Sequence, residues 1–98
     1  MSEEAIEKEI QEKGLTAPRL TPELIDEVIV GSTYTKLPSG KCVVCEITLR
    51  NGFTVRGESA CVSPANFDQE IGNKISFKNA REKVWQLEGY LLQDSCPC

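Results

Sequence analysis

The chain has 98 residues, 40% apolar and 27% charged, with a formal net charge of -4. That is enough for one domain whose core needs no metal or disulfide support. A chain this acidic is poorly matched to a nucleic-acid duplex, which calls for clustered Lys and Arg. The complete absence of histidine excludes His-based catalytic triads, imidazole general bases and His-containing zinc sites.

The acidity is local: residues 1–13 hold five Glu against two Lys. The N-terminus is acidic from its third residue and has no apolar h-region, so no signal peptide is expected. No run of about 18 apolar residues exists to cross a membrane. The expected location is the cytoplasm, where the five cysteines are by default reduced.

Residues 3–13 read as a short polar helix capped by Ser2, with Glu3 and Glu4 at its positive end and Gly14 as its stop. Only Ala5, Ile6 and Ile10 can face a core, so residues 1–14 are taken as a polar arm that is weakly held or docks on a partner. Residues 15–98 are taken as one α+β domain. Leu15 to Leu20, with Pro18, reads as a linker.

Thr21-Pro22-Glu23 starts a helix over 22–30, with a capping hydroxyl, a first-position proline and an adjacent acid. Leu24, Ile25, Val28 and Ile29 form its apolar face. Ser32 to Tyr34 can be extended, and Leu37-Pro38-Ser39-Gly40 is a turn.

The clearest pattern is a hairpin over 41–61. Val43, Cys45, Ile47 and Leu49 alternate onto one side, and Phe53, Val55 and Gly57 alternate after the Asn51-Gly52 turn. A two-residue loop would put Phe53 and Val55 opposite the face of Ile47 and Leu49. A three-residue loop pairs Leu49 with Phe53 and Ile47 with Val55, gathering the large apolar groups on one face. The second register is predicted, with Gly52 left-handed in a G1-type bulge. It sets Glu46 opposite Arg56 and Thr48 opposite Thr54, each pair contributing roughly 0.2–1 kcal/mol.

Ser63-Pro64 opens the last element, a helix over 64–93 that nothing forces to stop. Phe67, Ile71 and Ile75 share one face, and Ala80, Val84, Leu87 and Leu91 continue the period. At 1.5 Å per residue it spans roughly 45 Å, so either Gly72 or Gly89 bends it or its end packs on a second copy. The second reading is adopted here. The fold class predicted is therefore α+β: a small antiparallel sheet built on the 41–61 hairpin, packed with a short helix and a long C-terminal one.

Cys42-x-x-Cys45 has zinc-ligand or redox spacing, with Cys61, Cys96 and Cys98 as further thiols. Val43 and Val44 between them read as strand, however, where positions three apart face opposite ways. No cofactor is expected. Phe53 is core by register, or lines a pocket at the sheet edge. Ser63 and Pro64 are a helix cap, or a phosphate site at a helix N-terminus. Arg56 and Arg81 can supply counter-charge there, although Arg81 beside Glu82 also reads as a solvated helix face.

Residues 47–92 carry a specific resemblance. Ile47-Thr48-Leu49-Arg50-Asn51-Gly52-Phe53-Thr54-Val55, then Gly57-Glu58-Ser59-Ala60-Cys61-Val62, Asn66-Phe67-Asp68 and Ile71-Gly72 are similar to a widespread family of small phage proteins. Ala80-Arg81-Glu82-Lys83-Val84-Trp85 and Leu87-Glu88-Gly89-Tyr90-Leu91-Leu92 extend the likeness, and Thr16-Ala17-Pro18-Arg19 and Thr21-Pro22-Glu23 resemble its N-terminal half. The same signature resembles the first Thoeris anti-defence family, phage "sponges" that bind cyclic ADP-ribose-type signals or cyclic oligonucleotides.

That resemblance implies a non-enzymatic homodimer or larger homo-oligomer acting in the host cytoplasm. It implies that Phe53 stacks on a base or lines the pocket, that Ser63 and Pro64 contact the ligand, and that Arg81 meets phosphate or ribose oxygens. The competing reading is a phage protein–protein module that engages a host protein through the acidic arm and an exposed helix.

Overall fold

In the computed structural model, residues 3–14 and 19–95 are described; Ser2, most of the 15–20 linker, Cys96 and Cys98 lie outside that set. Helix α1 (Glu3–Glu12) ends where Gly14 adopts φ +69°, and helix α2 (Pro22–Val28) begins where the Thr21 hydroxyl accepts from Leu24 N. Strands β1 (Ile29–Lys36), β2 (Cys42–Leu49) and β3 (Thr54–Ala60) form an antiparallel sheet in the order β1-β2-β3. A 3₁₀ turn (Pro64–Asn66) leads to helix α3 (Gln69–Ser95). The chain has the expected α+β architecture.

The three-residue register is the one adopted. Cys45 pairs with Gly57, Glu46 with Arg56, Ile47 with Val55 and Thr48 with Thr54. Leu49 N donates to Phe53 O at 2.8 Å, Gly52 N donates to Leu49 O at 2.8 Å, and Gly52 sits at φ +90°. Every second residue of β2 is buried, and Ile25, Val28, Cys45, Ile47, Leu49, Val55, Ala80 and Val84 make the core.

Four expectations need correcting. The short helix covers 22–28 rather than 22–30: Ile29 is already extended (φ -82°, ψ 117°), although its N–H still bonds Ile25 O. β-branched Ile29 and Val30 feed β1 through an irregularity between Ile29 and Gly31, and a full eight-residue strand replaces the short extended stretch expected at 32–34.

The long helix does not start at Pro64. Ser63 Oγ accepts from Ala65 N and starts only a 3₁₀ turn; the chain then extends at Phe67, and Asp68 restarts it by accepting from Ile71 N (3.1 Å) and Gly72 N (2.9 Å). Each capping side chain nucleates its own segment. The 27 residues that follow measure about 40 Å.

The sheet-facing stripe of α3 is also one position out of phase with the one expected in its first half. Gly72, Ser76, Ala80 and Val84 are buried, whereas Ile71 (55% exposed) and Ile75 (47%) are not. Leu87 and Leu91 are exposed too. The cause is a very close helix–sheet approach. A Cβ on Gly57 of β3 would lie 2.6 Å from Ser76 O and 2.7 Å from Asn79 C, and closer still to Ala80 N. Large side chains cannot occupy that seam. Ser59 Oγ donating to Gly72 O (2.9 Å) and Asn79 Nδ2 donating to Glu58 O (2.8 Å) lock it at both sides.

Gly57→Ala should therefore lower stability by about 3 kcal/mol through overpacking against helix backbone. Gly31→Ala, with nothing within 4 Å of the added carbon, should stay within about 0.5 kcal/mol. Urea-denaturation midpoints of the two variants check the contrast.

Candidate binding groove

The residues singled out in the sequence fall into three places. Phe53 and Arg56 lie together at the turn end of β3. Phe53 keeps the register position of the core face but is 56% exposed, because it sits beyond the last buried residue, Val55. The expectation that it joins the core is corrected; the sheet-edge alternative stands. With Lys83, Gln86, Leu87 and Tyr90 of α3, these two residues line an open groove of about 490 Å³. A smaller hollow lined by Val44, Arg56, Gly57, Glu58 and Lys83 adjoins it and shares both cations.

The α3 contribution follows from helical spacing. Lys83, Gln86, Leu87 and Tyr90 stand at i, i+3, i+4 and i+7, one face of the helix turned toward the open edge of β3. That spacing is visible in the sequence and was the signal that could have added them. Tyr90 is 76% exposed. Arg56 Nη1 reaches Glu46 Oε2 only at 3.5 Å and donates to Thr54 Oγ1 at 3.3 Å, with the Arg56 side chain exposed and that of Glu46 half-buried. Such a pair is weakly held, so the guanidinium is available to turn toward an anion. Lys83 makes no ion pair among the described residues.

Ser63 and Pro64 lie three to four residues past the far end of β3, a strand of seven residues that spans about 23 Å. They do not meet Phe53. The Ser63 hydroxyl is used in capping, and its carbonyl accepts from Asn66 N and from the Cys61 thiol. The nearby hollow of about 130 Å³ is lined by Lys41, Ser59, Cys61, Asn66, Phe67 and Asp68 among others. Because the Asp68 carboxylate already occupies the first turn of α3, an anion there would meet negative charge.

Arg81 points away from both places. Its Nε donates to Glu3 Oε2 at 2.9 Å, its Nη1 to Asp26 Oδ1 at 2.7 Å and its Nη2 to Glu3 Oε1 at 2.9 Å and Pro22 O at 3.2 Å. It is a charge hub joining three helices, with its side chain only 12% exposed. Beside it, Ile6, Ile10, Leu20, Pro22 and Trp85 line a cavity of about 350 Å³ whose other walls are Glu3, Glu7 and Glu82. That acidic lining disfavours a phosphate, and the β3–α3 groove is the better candidate for an anionic ligand.

Cys42 and Cys45 fall on opposite faces of β2, the first half-buried on the outer side and the second in the core. Burial raises the Cys45 thiol above its ordinary range, which keeps it protonated. No three metal-ligating side chains converge among the described residues.

By its architecture the molecule is a small α+β domain, a three-stranded sheet with one long helix laid across it and an aromatic, cationic groove at one edge. It is a phage protein: residues 20–96 match the Phage protein (N4 Gp49/phage Sf6 gene 66) family, and the chain belongs to that family. No curated protein and no solved structure matches the chain. Among the described residues, no helix is long and apolar enough to cross a membrane.

The Arg81 hub makes the molecule acid-sensitive in a defined direction. Hydrogen bonding and charge from Arg81 hold the Glu3 carboxyl below its usual range despite partial burial, and Arg19 does the same for Glu7. A lowered folded-state pKa contributes stability that is complete above the ordinary value near 4.5 and is lost as pH falls through the lowered one. Since Trp85 Nε1 donates to Glu3 Oε2 at 3.3 Å, Trp85 fluorescence should change on acidification below about pH 4.5. Glu3→Gln should shrink that change.

Proposed function

We propose that this phage protein binds and sequesters a cyclic ADP-ribose-type or cyclic oligonucleotide immune signal in the host cytoplasm, without catalysis. One observation carries the reading: the fold brings Phe53 and Arg56, two residues singled out in the sequence, into one groove with Lys83, Gln86 and Tyr90. An exposed aromatic beside two cations suits a base next to a phosphate, since stacking holds the base and charge holds the anion. At about 490 Å³ the groove is in the size range of small-molecule sites. Sequestration requires only binding, and the residues supplied are a binder's: cations, an amide, a phenol and a phenyl ring.

The groove is open on one side, and Tyr90 and Leu91 near the end of α3 are exposed. A homodimer or larger assembly that covers this end would bury more of the ligand than one copy can. The alternative of host-protein capture through the acidic arm finds less support, because Glu3 and Glu7 are turned inward onto Arg81 and Arg19.

A thermal-shift screen across cyclic ADP-ribose isomers and cyclic di- and trinucleotides tests the proposal. One of them should raise the melting temperature and be recovered intact after filtration and heating. Phe53→Ala should then weaken that ligand by roughly tenfold to a hundredfold, the usual range for losing a stacked base. Arg56→Gln and Lys83→Gln should weaken it too and reduce its salt dependence, with folding unchanged because all three side chains are exposed. A flat screen with no ligand recovered overturns the reading.

A further inference from the structure

Helix α1 lies outside the family-matched residues 20–96 and supplies none of the buried apolar core, which among the described residues runs from Ile25 to Val84 with Trp85 packed against it. Its docking face is Glu3, Ile6, Glu7 and Ile10, spaced i, i+3, i+4 and i+7. The two carboxylates make the specific bonds. Glu3 takes Arg81 and Trp85, and Glu7 takes Arg19 Nη2 at 2.7 Å and Gln11 Nε2 at 2.9 Å. The apolar contact is incomplete: Ile6 is 44% exposed, and a cavity of about 350 Å³ remains beside it.

A ten-residue helix is marginal in water by itself. Held mainly by charge, α1 can leave without dismantling the domain. Its departure does not strand the buried guanidinium, because Arg81 keeps Asp26 Oδ1 and Pro22 O. What departure exposes is a ready groove: a fixed cation, the Trp85 indole and the apolar wall of Leu20 and Pro22.

We infer that this groove is a docking site for an acidic amphipathic helix, filled reversibly by α1, and that its occupant in trans is the α1 of a second copy of the chain. The Glu-x-x-Ile-Glu-x-x-Ile face complements the groove in both charge and apolar spacing, and exchange between copies needs no contact that the single chain does not already make.

The probe is a fluorescent peptide of residues 1–14, titrated onto full-length protein carrying Glu3→Gln and Glu7→Gln, whose own helix lacks the two charges. Saturable one-to-one binding is expected, at least tenfold tighter than to the wild-type chain, where the resident α1 competes. The same peptide with both substitutions should bind at least tenfold more weakly. Equal binding by the two peptides, or no binding to a variant whose α1 amides exchange freely, overturns the inference.

Should the double variant not fold, hydrogen exchange on the wild-type protein decides. Amides of α1 should exchange far faster than those of β2 and faster still in high salt; exchange of both at one rate overturns the reversible docking. Mixing donor- and acceptor-labelled full-length copies identifies the occupant. Energy transfer that the unlabelled peptide suppresses is expected, and its absence at high protein concentration overturns the second copy as the source.

Discussion

The rest of the structure depends on the contact between α3 and Gly57. Without a side chain at that position, the helix backbone at Ser76 to Ala80 lies directly on β3. This selects the small residues Gly72, Ser76 and Ala80 for the seam and turns Ile71 and Ile75 outward. It also fixes the rotation of the helix about its axis. Lys83, Gln86 and Tyr90 reach the edge of β3 because Ala80 and Val84 face the sheet. Arg81, one position on from Ala80, is thereby sent toward α1 and α2. The groove and the charge hub are two consequences of one packing decision.

That rotation divides the ionic groups into different environments. Arg81 is largely buried and held by Glu3, Asp26 and a backbone carbonyl, so its charge is spent on structure. Arg56 and Lys83 are exposed, the first in a loose pair and the second without one among the described residues. An exposed cation keeps most of its hydration and binds an anion weakly by itself. Under the proposed function, discrimination in the groove would fall to the aromatic groups beside the cations, Phe53 and Tyr90, which can confine a ligand in a way that point charges cannot.

Legibility in the sequence followed the range of the interaction responsible. The hairpin was readable down to its register, because period-two alternation and the Asn51-Gly52 turn are local and a one-residue slip would have turned Val55 away from the face of Ile47 and Leu49. The Thr21 cap was readable for the same reason. The phase of α3 was not, because apolar spacing favours burying Ile71 and Ile75, while the contact that forbids it comes from Gly57, more than a dozen residues away in the chain. The break at Asp68 was hidden by two capping residues five positions apart, either of which can start a helix. For the site, Phe53 and Arg56 were found by strand pattern, whereas Lys83, Gln86 and Tyr90 required knowing which face of α3 meets β3.

The two ends of the hairpin differ in which groups the fold leaves exposed. At the Ser63 end, the hydroxyl caps Ala65, the carbonyl serves Asn66 and Cys61, and Asp68 fills the first turn of α3. At the Phe53 end the backbone turn is closed internally by Asn51 and Leu49, and the side chains are left over. A site needs groups that the fold has not already satisfied. The Phe53 end gathers a ring, a phenol, an amide and two exposed cations, one of them loosely paired with Glu46, along one open groove. These exposed functional groups, rather than the helix N-terminus, are what make that edge of the sheet the candidate site.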